Sequence, residues 1–419
     1  MELIAEKKGY KSKPFEKKYA MTTKSTTQHI KTLLSEQIQP WQNLGTYCLT
    51  NMDDEVTEVI KNSLSYNKVN ANEYHRFQEM NNNCIDFLFK LFNIDNSENG
   101  LGLSTVGSSE AILLACLNWK KRSRLSKGLN IVISDHSHSA WTNAAKILDI
   151  DVKTVNYTKD EQDFTQRFVL AVDENTIGVG LTLGTTGIGM FDPVYEIHNA
   201  LLEYSIKEGR DISIHIDAAS GGFVAPFCFP EYIWDFRLEL VQSISVSGHK
   251  YGFTYPSIGW ILWKNKNEIS EGLWSRIGYL KEEFNHLGVT FSQNCVGIIS
   301  QYYLIKRYGF IGYQSNIEYL YRIKNYMESR LSDIHKVKFI NYKKHQLPIL
   351  SWFIEGGDKS TYDEISQKLE SLGWLVPYSE VLFDGQTVNC FRIVIKPTYT
   401  EDVIEVLIND FFVSHKLIK

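Results

Sequence analysis

The sequence predicts an α/β fold: a mainly parallel sheet flanked by helices, followed by a smaller C-terminal α+β unit. Three observations carry that expectation. Short apolar runs, NIVIS (130–134), IGVGLTL (177–183), ISIHID (212–217) and SISVS (243–247), are bounded by turn residues and have the length of buried strands. Helix-length stretches separate them: SEAILLACLNWKKR (109–122), TNAAKIL (142–148) and YEIHNALLEYSIK (195–207). Strand and helix alternating in this way imply parallel βαβ units with both sheet faces covered. After about residue 315 the pattern restarts with the helical IEYLYRIKNYMESRLSD, the run LPILSWFIE, a helix near 361–372 and the run CFRIVIK at 390–396. The expected division is an arm over residues 1–44, a large domain over 45–315 and a small domain over 316–419.

Composition narrows the class. A chain of 419 residues with 43% hydrophobic and 22% charged content has an ordinary globular balance. Its net charge of −5 and the lack of a long basic face argue against nucleic-acid binding. The six cysteines are scattered without a CxxC pair, which suggests free thiols in a reducing cytoplasm rather than a disulfide frame or a zinc site. No apolar run reaches about 18 residues, so no membrane-spanning helix is expected. The opening MELIAEKKGYKSKPFEKKYAMTTKST has no apolar stretch of the kind a secretory signal needs.

The chemistry concentrates in two runs, HIDAASGGF at 215–223 and SVSGHKYGF at 245–253. They place Asp217 at the end of a β-branched run and Lys250 directly after Ser-Gly-His, on either side of one helical-length insert. A lysine amine that anchors an aldehyde, and an acid that keeps a heterocyclic ring cationic, are what pyridoxal 5′-phosphate (PLP) requires. Upstream, STVGSSEAILLA at 104–115 puts Gly107, Ser108 and Ser109 at a helix start, whose free N–H groups suit a phosphate. A plain serine N-cap is the competing reading.

The segments GSSEA, HIDAASGGFVAPF, WDFRL and SISVSGHKYG resemble the glutamate decarboxylase family of fold-type I PLP enzymes, over roughly Leu44 to Arg392. The resemblance implies a mainly parallel seven-stranded sheet in the large domain. It also implies decarboxylation of an L-amino acid, L-glutamate to 4-aminobutyrate and CO2, through an external aldimine and a quinonoid, in a cytoplasmic homodimer or higher homo-oligomer with shared sites. Lys250 would carry the Schiff base and Asp217 would pair with the pyridine nitrogen. Gly107, Ser108, Ser109, Ser247 and His249 would surround the phosphate, with Ala219 beside Asp217. Ser292, within TFSQN, would reach the phosphate of a neighbouring subunit.

His138 stands where relatives stack a side chain on the cofactor ring; a same-face pair with His136, or metal ligation, is the alternative. Thr186, in GTTGIG, would lie beside the cofactor, although a turn residue explains it equally. Arg392 would clamp the substrate α-carboxylate, an edge-strand surface charge being the competing reading. Tyr279 would reprotonate Cα, with Lys250 as its competitor. Thr46 and Asn70 would face the substrate side chain. Asn70 replaces an expected aspartate and His75 an expected proline, so a different side-chain pocket stays open. The chain ends soon after the small domain at HKLIK, and the tail that closes the site at neutral pH in some bacterial relatives is not expected here. Two other classes stay open: a PLP enzyme of this fold with another substrate or another fate for the carbanion, and a non-catalytic PLP-binding homologue.

Overall fold

A computed structural model describes residues 21–48, 51–68, 74–94, 99–125, 127–279, 282–340, 345–383 and 386–415. Its centre is a seven-stranded sheet of β1 (Leu101–Thr105), β2 (Asn130–Ser134), β3 (Asp151–Val155), β4 (Thr176–Thr182), β5 (Ile214–Asp217), β6 (Val241–Ser247) and β7 (Gly259–Trp263), in the order β1-β7-β6-β5-β4-β2-β3. From β6 across to β3 every pairing is parallel, while β7 runs antiparallel to both β6 and β1. The four runs read as strands became β2, β4, β5 and β6, and helices Ser108–Arg122, Ala140–Leu148 and Val194–Glu208 fall on the expected stretches.

Close helix–sheet contact depends on two glycines of β4. A Cβ on Gly178 would lie 2.4 Å from the Trp119 ring, and one on Gly180 2.5 Å from Trp141. The two indoles stack with centroids 6.2 Å apart and meet the edge of His215. His215 is fully buried between the hydroxyls of Ser243 (2.7 Å) and Ser245 (3.0 Å), and burial pushes its pKa down to about 3. Burying each such ring contributes roughly 1.5–3 kcal/mol.

The second sheet is antiparallel: β10 (Val337–Phe339), β11 (Ile349–Ile354), β12 (Tyr378–Phe383) and β13 (Gln386–Val394), in the order β10-β11-β13-β12. Trp352, Tyr362, Phe391 and Phe411 form its aromatic core. The expected break near residue 315 falls inside one helix, Val296–Leu331, kinked at Gly309 (φ 54°, ψ −161°). A hairpin, β8 (Trp274–Tyr279) with β9 (Glu282–Leu287), stands apart from both sheets. Of the expected arm, residues 1–20 lie outside the described residues, and helix Thr23–Ser35 buries none of its side chains.

The segment around residues 43–47 is stitched to the small sheet. Leu44 N–H donates to Leu375 O, Val394 N–H to Leu44 O, and the Lys396 ammonium to Asn43 O. None of the described helices is long and apolar enough to cross a membrane, and all six cysteines are free thiols.

Candidate active site

Parallel strands aim their C-terminal ends at one edge of the sheet, where ligands of open α/β folds bind. Here the ends of β4, β5 and β6 deliver Thr182, Asp217 and Ser247 to a cavity of about 340 Å³. The same cavity is lined by Gly107, Ser108, Ser109, His138, Thr186, Ala219, His249 and Lys250, all singled out from the sequence. At one end the Ser247 hydroxyl donates to Ser108 Oγ at 3.0 Å, beside the start of helix Ser108–Arg122. The first N–H groups of that helix have no partner within it, which makes this end a place for an anion. Gly259, first residue of β7, lies directly beneath: a Cβ there would come within 2.6 Å of the Gly107 backbone. His249 donates through Nδ1 to Ile258 O (2.9 Å), which fixes its ring, and burial lowers its pKa.

Asp217 is buried and accepts the Ala219 N–H on Oδ1 at 3.1 Å. The Lys250 ammonium lies 3.2 Å from Ser220 Oγ and 5.4 Å from the centre of the Tyr47 ring. Burial holds the Lys250 pKa below the usual lysine range, opposed by Asp217 and assisted by the Arg392 guanidinium. A depressed pKa favours the neutral, nucleophilic amine.

The two histidines of SDHSHSAW part company. His138 accepts the Ala140 N–H on Nδ1 (3.0 Å) and opens onto the cavity, its pKa lowered chiefly by burial, so it presents a neutral ring. His136 instead packs edge-on against Tyr157 at 4.9 Å. Among the described residues no group of three His, Cys, Asp or Glu is arranged to hold a metal.

Behind the Thr186 side of the cavity, three separated segments meet. Arg392 lies on β13, an interior strand, which removes the edge-strand reading of its charge. It donates through Nη1 to Thr186 O (2.5 Å) and through Nη2 to Gly45 O (2.8 Å), and lies 5.2 Å from the Tyr47 ring centre. Its Nε is buried without a hydrogen-bond partner among the described residues, a donor left for a carboxylate. The Thr186 carbonyl accepts from Arg392 and Tyr47, and the residue lines the cavity.

Thr46 and Ser292 do not line the cavity. The Thr46 hydroxyl accepts the Cys48 N–H at 3.2 Å. Tyr279 closes β8 opposite Glu282, at the end of the hairpin. Ser292 is exposed, its hydroxyl 3.5 Å from Asn67 Nδ2. Asn70 lies outside the described residues.

Sequence reasoning missed Ser220, Tyr47 and Asp192. Ser220 and Tyr47 sit inside quoted motifs, HIDAASGGF and GTYCLT, as ordinary-looking residues. Asp192 is fully buried one layer behind the cavity; it accepts the Thr182 N–H (2.7 Å) on Oδ2 and leaves Oδ1 unpartnered. Burial pushes its pKa up to about 7, with Asp135 and Asp217 adding to the rise.

A lysine amine, a facing buried acid, a serine-lined helix start and a neutral stacking ring in one cavity fit PLP, and they define a PLP enzyme of fold type I. Comparison with known proteins agrees. Residues 14–353 match the pyridoxal-dependent decarboxylase conserved domain. Glutamate decarboxylase beta of Listeria innocua is 35% identical over 386 residues, 89% of this chain and 83% of that protein. Glutamate decarboxylase 2 of Arabidopsis thaliana is 34% identical over 406 residues, 93% and 81% of the two chains. The solved structure of Lactobacillus brevis glutamate decarboxylase superposes with a TM-score of 0.88 at 29% identity, covering 98% of this chain and 96% of that one. The chain therefore belongs to the glutamate decarboxylase family of pyridoxal-dependent decarboxylases, and PLP is its cofactor.

Proposed function

We propose that this chain decarboxylates L-glutamate to 4-aminobutyrate and CO2 in the cavity lined by Lys250, Asp217 and Thr186, with Arg392 behind Thr186. One observation carries the reading: the reactive amine and the buried acid line one cavity, and the Arg392 guanidinium is bonded to Thr186 of that lining and shares the Tyr47 ring with Lys250.

When bound, PLP supplies a protonated ring that accepts the electron pair left on Cα as CO2 departs. Lys250 Nζ would anchor the cofactor. Asp217 holds a proton at the ring nitrogen; a carboxylate is the natural partner for that cation in a buried site. Ser108, Ser109, Ser247 and His249 would hold the phosphate, with Gly107 giving it backbone room, while His138, Thr186 and Ala219 would confine the ring. Arg392 would hold the α-carboxylate and so orient the substrate. Lys250, inside the cavity, returns the proton to Cα; Tyr279, at the hairpin end, is the second candidate.

Thr46 and Asn70 are assigned to the distal carboxylate. An asparagine amide donates to a carboxylate without needing an unusual protonation state. The exposed Ser292 supports a homodimer in which it completes a partner's phosphate site. Six free thiols support work in a reducing cytoplasm.

The test is a panel of L-amino acids offered to PLP-loaded enzyme, with CO2 and amine read by mass spectrometry. 4-Aminobutyrate from glutamate alone is the expected result. Turnover of another amino acid with glutamate inert would keep the cofactor site and reassign the pocket that Thr46 and Asn70 are proposed to form.

A further inference from the structure

We propose that Ser220 is the positioning residue that holds the Lys250 amine whenever that amine is free, an inference that rests on reading Lys250 as the cofactor's anchor. Ser220 follows Asp217 by three residues and precedes the short helix Gly221–Phe223. A serine there would ordinarily be read as a helix cap, but its side chain makes no capping bond. The hydroxyl is buried, at 3% exposure, and its one described hydrogen-bond partner is Lys250 Nζ at 3.2 Å. Buried hydroxyls are nearly always paired, and this one is paired with the group that reacts.

The chemistry of the pair suits a residue that changes protonation state. A hydroxyl both donates and accepts. It accepts from the ammonium when Lys250 is charged, and donates to the lone pair when the amine is neutral. The amine therefore keeps a partner across the titration that burial has shifted downward. Holding matters because a lysine stem has four rotatable bonds, and an amine fixed near its target reacts far faster than one that must find it. In the bonding step the Nζ lone pair attacks the cofactor's aldehyde carbon. The aldehyde oxygen leaves as water with both amine hydrogens, giving the C=N bond. Ser220 acts before that step and again when the substrate amine has displaced the lysine. The Tyr47 ring, 5.4 Å from Nζ, is a surface rather than a directional partner, so it does not duplicate the hydroxyl.

The experiment follows cofactor uptake by the apoenzyme of wild type, Ser220→Ala and Ser220→Thr. C=N bond formation is read by visible absorbance over a pH series, and binding without bonding is read with pyridoxine 5′-phosphate, which has no aldehyde. The expected result is that Ser220→Ala bonds PLP about five- to ten-fold more slowly, with its affinity for pyridoxine 5′-phosphate unchanged, while Ser220→Thr restores the wild-type rate. Superimposable rates in wild type and Ser220→Ala overturn the proposal. So does a parallel loss of rate and of pyridoxine 5′-phosphate affinity in Ser220→Ala, which marks a packing role. Borohydride reduction of loaded wild type, with peptide mapping, separates the two levels: a label on any residue but Lys250 refutes the anchor assignment itself.

Discussion

The two walls of the candidate site, one lining the cavity and one packed behind Thr186, are built in opposite ways. The cofactor wall comes from the ends of adjacent parallel strands and one helix start, so Thr182, Asp217, Ser247 and Ser108 owe their positions to the main hydrogen-bonded sheet. The substrate wall is assembled from a chain segment at 45–47, a turn at 184–189 and a strand of the small sheet, and its members meet mainly through the carbonyls of Gly45 and Thr186. A sheet edge fixes its residues for any ligand that the fold accepts. A wall of loops can be altered without disturbing the sheet, which is where a family with one chemistry and several substrates has room to vary.

The largest effect should come from breaking the cofactor wall at its reactive atom. Lys250→Ala should lower CO2 release by at least about 10³-fold, the scale on which losing a group that acts covalently is felt. Pyridoxine 5′-phosphate should still bind, because Ser108, Ser247 and the helix start are untouched. Loss of that binding too would mean that the two ends of this wall are not independent.

Asp192 tests the same wall from behind. Its folded-state pKa, about 7, lies above the ordinary carboxyl value, so the native protein holds the proton more tightly than the unfolded chain. That contribution to stability is complete below pH 4 and is lost as pH rises through about 7. At about 1.4 kcal/mol per pH unit the loss is of the order of a few kcal/mol. Asp192→Asn keeps an acceptor for the Thr182 N–H and does not titrate, so urea unfolding should show a flatter profile from pH 5 to 8, with the mutant the more stable at pH 8. A profile parallel to wild type would remove Asp192 as the source. The fully buried His215 acts in the opposite sense: with its pKa near 3 it remains neutral in the native state and costs stability as pH falls below about 6.5.

The same contrast explains what the sequence made legible. β2, β4, β5 and β6 are largely buried on both faces and stand between turn residues, so their mostly apolar runs are visible directly. β3, DVKTV, is an edge strand with Asp151 and Thr154 exposed, and its composition gives no such signal. Lys250, Asp217 and the serine pair were found because each lies in a short contiguous motif. Tyr47 and Ser220 were not, since an aromatic between two cations and a hydroxyl beneath a lysine are made by residues far apart in the chain. Arg392 was found through the family motif, but only the topology shows that its strand is interior and that Nε is left over.

On the substrate wall, Arg392→Lys should lower kcat/KM about 10- to 100-fold, because a point charge cannot keep two carbonyls and a carboxylate in the fixed fork of a guanidinium. PLP affinity should stay within about twofold, since Arg392 touches none of the groups assigned to the phosphate. Titrating cofactor and substrate separately distinguishes the outcomes. Equal losses in both would show that the small sheet supports the cofactor wall as well, and that the division between walls is wrong.

Tyr47→Phe is the finest cut. The ring that faces both Lys250 and Arg392 remains, and only the hydroxyl that donates to Thr186 O at 3.0 Å is removed. That carbonyl keeps its bond from Arg392, so it is not left unsatisfied. The cost should be the net value of one hydrogen bond, about 1 kcal/mol, or roughly a five-fold rise in KM for glutamate with kcat little changed. Because the ring stays, the rate at which apoenzyme bonds PLP should not move. A fall in that rate would show that the Tyr47 hydroxyl steadies Lys250 through its ring, tying the loop-built wall to the reactive amine more tightly than the separate origins of the two walls imply.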